Sequence, residues 1–353
     1  MDPTLAQLRT AVMQAHRART PLRLCGAGTK DFYGESCTGT PLDLTGYQGV
    51  IEYEPAELVI SARCGTRLST IEALLESKGQ FLAFEPPSLG GDPTLGGAIA
   101  AGLSGPRRAR AGAARDFVLG AVLLGVDGEV LRFGGKVMKN VAGFDVSRLL
   151  CGSLGILGPI LEVSLKVMPL PREELTLRFE LAEAEALAAF NRWAGRPLPV
   201  SASAWWNGSA WLRLSGAAAA VRAARAALGG EALAPEAARD WWHQLRSQQH
   251  TLFGDAPDLW RLSLPPTAAP LTLTGAKLIE WGGALRWYAT AAAPDEVRRQ
   301  AATAGGTALH WRGALPGGRF HPLAPAVLGL HRRLKARFDP HGIFNPGRLV
   351  MGL

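Results

Sequence analysis

The sequence lacks the side-chain groupings that would let it hold a metal or a cluster. Its four cysteines, Cys25, Cys37, Cys64 and Cys151, stand singly with no Cys-x-x-Cys spacing. That excludes a recognisable iron–sulfur or zinc motif within the chain. His310, His321, His331 and His341 fall ten or eleven residues apart, and no His-x-His or i,i+4 His pair stands with a carboxylate; a paired-imidazole substrate or metal site is therefore missing. No uninterrupted apolar run of about 18 residues is present to span a bilayer, and no apolar N-terminal stretch resembles a signal peptide. The expectation is a cytoplasmic protein whose membrane association, if any, is peripheral and borne by partners.

Tryptophan is absent from the first half: all ten lie between Trp193 and Trp311. Acidic residues are outnumbered, 30 Asp+Glu against 38 Lys+Arg, for a net charge of +8. The longest basic cluster, Pro106-Arg107-Arg108-Ala109-Arg110, has no interleaved aromatics on which bases could stack. A solvated basic surface is the preferred reading over nucleic-acid binding, followed by an acidic partner protein or anionic substrate. The basic surface and the Trp-rich region are the candidate docking faces, with buried core the default for most of the tryptophans.

What is present is a large apolar fraction, 47%, ample for buried cores. At 353 residues the chain exceeds the ~250 residues that one core usually serves, so two domains are expected. Pro169-Leu170-Pro171 separates a glycine-rich part from the tryptophan-rich one. Apolar spacing predicts a helix over 4–18, strands at Leu22–Cys25, Gly49–Tyr53 and Leu58–Arg63, and a helix at Leu68–Ser77 closed by Gly79. Arg115–Gly125 and Glu129–Phe133, joined across Asp127-Gly128, read as a hairpin, and Ile160–Val167 as a buried strand. Beyond Pro171, strands at 175–181, 200–206, 210–214, 259–264, 277–280, 284–289 and 307–312 alternate with helices at 182–194, 217–228 and 295–304. That pattern argues an α+β unit on an antiparallel sheet, ferredoxin-like in kind. A last helix spans Pro325–Phe338. No exact repeat is visible.

The most informative segment is Leu22-Arg23-Leu24-Cys25-Gly26-Ala27-Gly28-Thr29-Lys30-Asp31, an apolar strand running into a tight small-residue turn. Such a turn can aim several backbone N–H groups at one anion, although the same Gly-x-Gly corner also serves as an ordinary structural turn. A second glycine-rich block runs from Glu85 through Pro87, Thr94, Leu95, Gly96, Gly97, Gly102 and Ser104 to Gly105. A third runs from Lys139 through Gly152, Gly155, Ile156 and Gly158 to Ile160 and Val163.

In this order and spacing the three blocks resemble the FAD-binding domain of the vanillyl-alcohol oxidase/PCMH superfamily. Within it the chain is similar to the FAD-binding subunits of glycolate oxidase complexes, through Tyr53–Arg63, Gly105–Arg108, Arg115–Gly120, Arg132–Gly143 and the tail Phe338–Arg348. The resemblance implies an α+β fold: a two-subdomain PCMH-type FAD-binding domain at 1–172, a smaller α+β cap at 173–325, and a segment 326–353 returning to the FAD domain.

It also implies site roles. The N–H groups of Gly26, Ala27, Gly28, Thr29, Lys30 and Asp31 would bind the FAD diphosphate. Pro87, Thr94, Leu95, Gly96 and Gly97 would meet phosphate, ribityl and flavin, with Gly102, Ser104 and Gly105 continuing along the cofactor. For Thr94 a helix start capped by its hydroxyl is an equally compatible reading. Gly155, Ile156 and Ile160 would line the adenosine end, against the alternative of a packed turn and core strand; Asn345 would reach the isoalloxazine edge or simply sit in a turn. Covalent attachment in this superfamily uses a His in the first loop, sometimes with a Cys in the second block. Here His16 is the only histidine of the N-terminal half, on the leading helix, and no cysteine lies between 65 and 150, so the expected FAD is non-covalent.

No catalytic residue is assigned. The implied partners are a larger FAD subunit and an iron–sulfur subunit, acting on a small 2-hydroxy acid and passing electrons to a carrier. Two rivals are a self-sufficient 2-hydroxy acid dehydrogenase and a structural or regulatory subunit without its own turnover.

Overall fold

The computed structural model describes residues 2–135, 145–254, 258–315, 318–350 and 353. Two compact units form, one from Met1–Leu103, Ala113–Leu170 and Pro322–Leu353, the other from Ser104–Gly112 and Pro171–His321.

The first unit opens with helix α1 (Pro3–Ala18). Asp2 caps it, accepting from the N–H groups of Thr4 and Leu5, and Pro3 occupies its first turn, where no N–H is needed. Leu8, Val12 and Ala15 form its buried face. Strand β1 (Leu22–Cys25) pairs in parallel with β2 (Thr40–Asp43). There follow β3 (Val50–Glu54), β4 (Val59–Arg63), helix α2 (Leu68–Glu76), the short β5 (Gln80–Phe81), helix α3 (Leu95–Ala101), β6 (Val118–Leu124), β7 (Val130–Gly134), β8 (Ile160–Lys166) and β9 (Met168–Pro169).

An antiparallel sheet in the order β3-β4-β8-β6-β7 organises this unit, and β5 pairs with β9. All seven residues of β6 are buried, because its two faces serve two cores. Ala121 and Leu123 join Ile71, Leu75 and Ile99 from the helices, while Val122 and Leu124 join Leu8, Val12 and Phe344 on the other side. The strand begins at Val118 rather than Arg115. Residues Ala114–Phe117 form a helical turn whose first N–H, that of Ala113, is capped by Asp116. The hairpin after it turns at Asp127-Gly128, with Gly128 at φ +81° and the Asp127 carboxylate accepting from Glu129 N.

The second unit is built on β10 (Glu173–Glu180), β11 (Val200–Trp206), β12 (Ser209–Gly216), β13 (Glu231–Ala232), β14 (Leu259–Ser263), β15 (Ala276–Glu280), β16 (Leu285–Ala289) and β17 (Thr307–Arg312). They form one antiparallel sheet in the order β13-β10-β12-β11-β15-β16-β14-β17. Each half, taken in chain order, runs fourth-first-third-second, the arrangement of a βαββαβ ferredoxin-like unit. The halves join edge to edge through β11 and β15. The unit is therefore duplicated in topology. In the first half both crossovers are helices, Glu183–Ala194 and Ala218–Leu228; in the second only Pro294–Thr303 is, and a loop connects β14 to β15.

One expectation is corrected here. The cluster Arg107-Arg108 is not a solvated patch: Arg107 is buried and pairs with Glu174, and the Arg108 guanidinium lies 4.5 Å from the Trp281 ring centre. Trp281 Nε1 donates to Gly105 O at 3.0 Å. These contacts place Ser104–Gly112 in the second unit. Most of the tryptophans are core, as the default reading of the sequence has it: Trp205, Trp211, Trp242, Trp260, Trp281, Trp287 and Trp311 are all buried.

Candidate functional site

The β1–β2 pair creates the site because a parallel pair cannot close with a tight hairpin. The chain leaving Cys25 loops through 26–39 before β2, and the C-terminal tail comes in beside β1. Leu22 N donates to Ile343 O at 2.7 Å and Asn345 N to Leu22 O at 3.0 Å. Arg348 then clamps the loop: its guanidinium donates to the carbonyls of Glu35 (2.9 Å), Lys30 (3.1 Å) and Asp31 (2.8 Å).

With its carbonyls held from behind, the loop leaves its donors free. The backbone N–H groups of Gly26, Ala27, Gly28, Thr29 and Lys30 meet no acceptor among the described residues. Gly28 sits at φ +76°, a conformation that suits glycine and turns successive amides into a concave, anion-binding row. The row borders a cavity of about 330 Å³, within the range of small-molecule and cofactor sites.

Helix α3 supplies the facing wall, and its own donors are already used. Leu95 N donates to Thr66 O and Gly96 N to Cys64 O, both at 2.8 Å, and Gly97 N to Thr94 Oγ1 at 3.2 Å. What α3 offers the cavity is the Thr94 hydroxyl hydrogen and a flat small-residue face, Gly96, Gly97, Ala100 and Ala101. A Cβ on Gly96 would lie 2.7 Å from Cys64 Cβ, and one on Gly26 2.8 Å from Thr94 Oγ1. Close packing of loop, strand end and helix thus requires these glycines before any ligand is considered.

Of the residues expected from sequence, the structure brings Gly26, Ala27, Gly28, Thr29, Lys30, Asp31, Thr94, Gly96, Gly97, Gly155, Ile160 and Asn345 to one cavity. It does not bring the others there. Leu95 and Ile156 are core residues, and Pro87 is buried away from the cavity. Gly102 ends α3 at φ +63°, where a Cβ would meet Gly152 at 2.9 Å. Ser104 and Gly105 belong to the second unit. The motif residues Lys136–Phe144 lie outside the described residues.

Asn345 borders the cavity, but its amide is occupied by protein. Oδ1 accepts from Leu24 N and Nδ2 donates to Leu154 O, each at 2.7 Å. It ties the tail to both cavity walls. Arg348 was missed from sequence, where an arginine after a Pro-Gly turn carries no sign of its three carbonyl partners.

The electrostatics favour an anion. Burial pulls Lys30 down to about 8, and no ion pair accompanies it among the described residues. Burial pushes the Cys25 and Cys64 thiols up, away from the thiolate. Among the described residues no histidine lines the cavity, and no group of three or more His, Cys, Asp or Glu could hold a metal. Free donors, an unpaired ammonium and a glycine-lined wall fit the diphosphate and flat rings of a flavin dinucleotide.

Comparison with known proteins agrees with that fit. Residues 3–134 match the family model described as FAD binding domain. The chain is 47% identical over 342 residues to glycolate oxidase subunit GlcE of Escherichia coli (strain K12), covering 97% of this chain and 96% of that protein. It is 33% identical over 162 residues to glycolate oxidase subunit GlcD of Bacillus subtilis (strain 168), covering 45% of this chain and 34% of that one. Among solved structures, alkyldihydroxyacetonephosphate synthase superposes with a TM-score of 0.67 over 98% of this chain and 76% of its own, at 14% identity, a likeness of fold alone.

Proposed function

This chain belongs to the glycolate oxidase subunit GlcE family, and from that premise we propose that it is the FAD-binding subunit of a complex that oxidises glycolate to glyoxylate and passes the electrons to a carrier. The observation that carries the proposal is the row of unpaired N–H groups from Gly26 to Lys30 bordering the cavity. These groups hold the diphosphate, the Thr94 hydroxyl donates to it, and Gly155 and Ile160 receive the adenosine end. Gly96 and Gly97 leave room for the ribityl chain and the ring. Bound FAD supplies two-electron acceptance; the protein supplies position, charge and exclusion of water.

The cofactor is held non-covalently, because the cavity has no histidine among the described residues and burial pushes its Cys25 and Cys64 thiols up, away from the thiolate. The chain works with a larger flavoprotein subunit of the kind named GlcD and with an iron–sulfur subunit. Its sequence has no His-x-His or i,i+4 His pair standing with a carboxylate, and substrate deprotonation is assigned to the larger subunit. No helix among the described residues is long and apolar enough to cross a membrane, and association with one runs through the complex.

The test is reconstitution. The isolated chain loaded with FAD should release all its flavin into the supernatant on acid precipitation. Anaerobic glycolate or D-lactate should leave it yellow, and activity should return when the partner subunits are added. Rapid stoichiometric bleaching of the isolated chain would instead establish a self-sufficient dehydrogenase.

A further inference from the structure

The anion-binding loop carries a cation that its backbone does not need. Lys30 Nζ has a single hydrogen-bond partner, Thr29 Oγ1 at 3.3 Å, and no carboxylate pairs with it among the described residues. It lies in the wall of the same cavity as the five unpaired N–H groups that precede and include its own. A desolvated ammonium with no counter-ion is costly, and here Lys30 lines the same cavity as free donors of the same polarity. We propose that Lys30 is the counter-ion of the bound diphosphate, so that cofactor capture is coupled to protonation of Lys30 Nζ and weakens in alkaline solution. This inference rests on the reading of the cavity as the FAD site.

The sign follows from linkage. In the free chain, burial alone has pulled Lys30 down to about 8. A dianion beside it opposes that effect and raises the value in the complex. Below about pH 8 the lysine is protonated in both states, and affinity does not change with pH. Above it, binding must take up a proton, and affinity falls toward tenfold per pH unit until the complex itself titrates.

The other titratable or charged groups lining the cavity are Arg23, Cys25, Asp31, Cys37, Cys64 and Arg348. Burial pushes Cys25 and Cys64 up. Arg348 is committed to the carbonyls of Lys30, Asp31 and Glu35.

The test is FAD affinity of the full apo-chain between pH 6.5 and 10, read by flavin fluorescence, for the native protein, Lys30→Arg and Lys30→Met. The native Kd should stay level to about pH 8 and then rise, by about 10- to 100-fold in all. Lys30→Arg should flatten the profile, whatever its neutral-pH affinity, because a guanidinium does not titrate there. Lys30→Met should bind about 10- to 100-fold more weakly at neutral pH, also with a flat profile. Calorimetry at pH 9 in two buffers of different ionisation heat should show proton uptake with native protein and none with Lys30→Arg.

A native profile that stays level to pH 10 would overturn the inference. So would a Lys30→Arg profile that keeps the native slope, which would place the titration on another group, or a Lys30→Met Kd equal to the native one. Folded protein that binds no FAD in any form at pH 7 would overturn the cofactor reading itself, and this inference with it.

Discussion

Lys335→Met is expected to lower the stability of the first unit by about 3–5 kcal/mol and to release the flavin with it. Lys335 sits one turn before Asp339, an i,i+4 spacing that on most helices marks a weak surface pair. Here both are buried, at 6% and 1% exposure. The ammonium donates to Asp339 Oδ2 at 2.7 Å, Ile156 O at 2.6 Å and Phe344 O at 2.8 Å, and the carboxylate accepts from the N–H groups of Ile343 and Phe344. One ion pair therefore fixes the final helix (Pro325–Phe338), the tail beside β1 and the segment following Gly155. Removing the lysine leaves the buried Asp339 carboxyl with only its two backbone donors. Urea unfolding followed by circular dichroism checks the loss; an unchanged midpoint would show that the pair is dispensable.

Gly96→Val should abolish flavin retention while sparing the second unit. Its Cβ would lie 2.7 Å from Cys64 Cβ and 3.1 Å from Cys64 O, and Gly96 N is hydrogen-bonded to that same carbonyl. Neither side can retreat without moving the start of α3. Overpacking of this kind costs about 1–3 kcal/mol, and the displaced residues, Thr94 and Gly97, are the cavity wall. Because every tryptophan lies between Trp193 and Trp311, tryptophan emission monitors the second unit separately. Lost flavin with native emission is the expected result; Gly195→Ala, with no neighbour closer than 3.8 Å, should retain both. Flavin loss in both variants would point to general misfolding.

The sequence made legible what local patterns decide. Strand β1 and its small-residue turn, the Asp127-Gly128 hairpin and the final helix follow from apolar spacing, positive-φ turn residues and a proline at the helix start. Strand β2 was unreadable, because only Leu42 of its four residues is buried. Helix Pro235–Ser247 was missed, although Pro235 stands at its first turn and Trp242 and Leu245 mark its buried face. The resemblance sets Ser104 and Gly105 along the cofactor, but local sequence says nothing of Glu174 and Trp281, the distant partners that hold this segment in the second unit. The same limit hid Arg348 and the occupied amide of Asn345, whose partners lie more than 190 residues away in sequence. The ferredoxin-like duplication left no sequence repeat, since its halves share strand order while one replaces a helical crossover with a loop.

Amide hydrogen exchange of the chain with and without FAD tests the binding scheme most directly. Five consecutive N–H groups without acceptors, Gly26 to Lys30, should exchange freely in the apo-protein and become strongly protected when FAD is added, with no change around Gly195. FAD bound at one equivalent with Gly26–Lys30 still exchanging freely would contradict the assignment of this loop to the diphosphate.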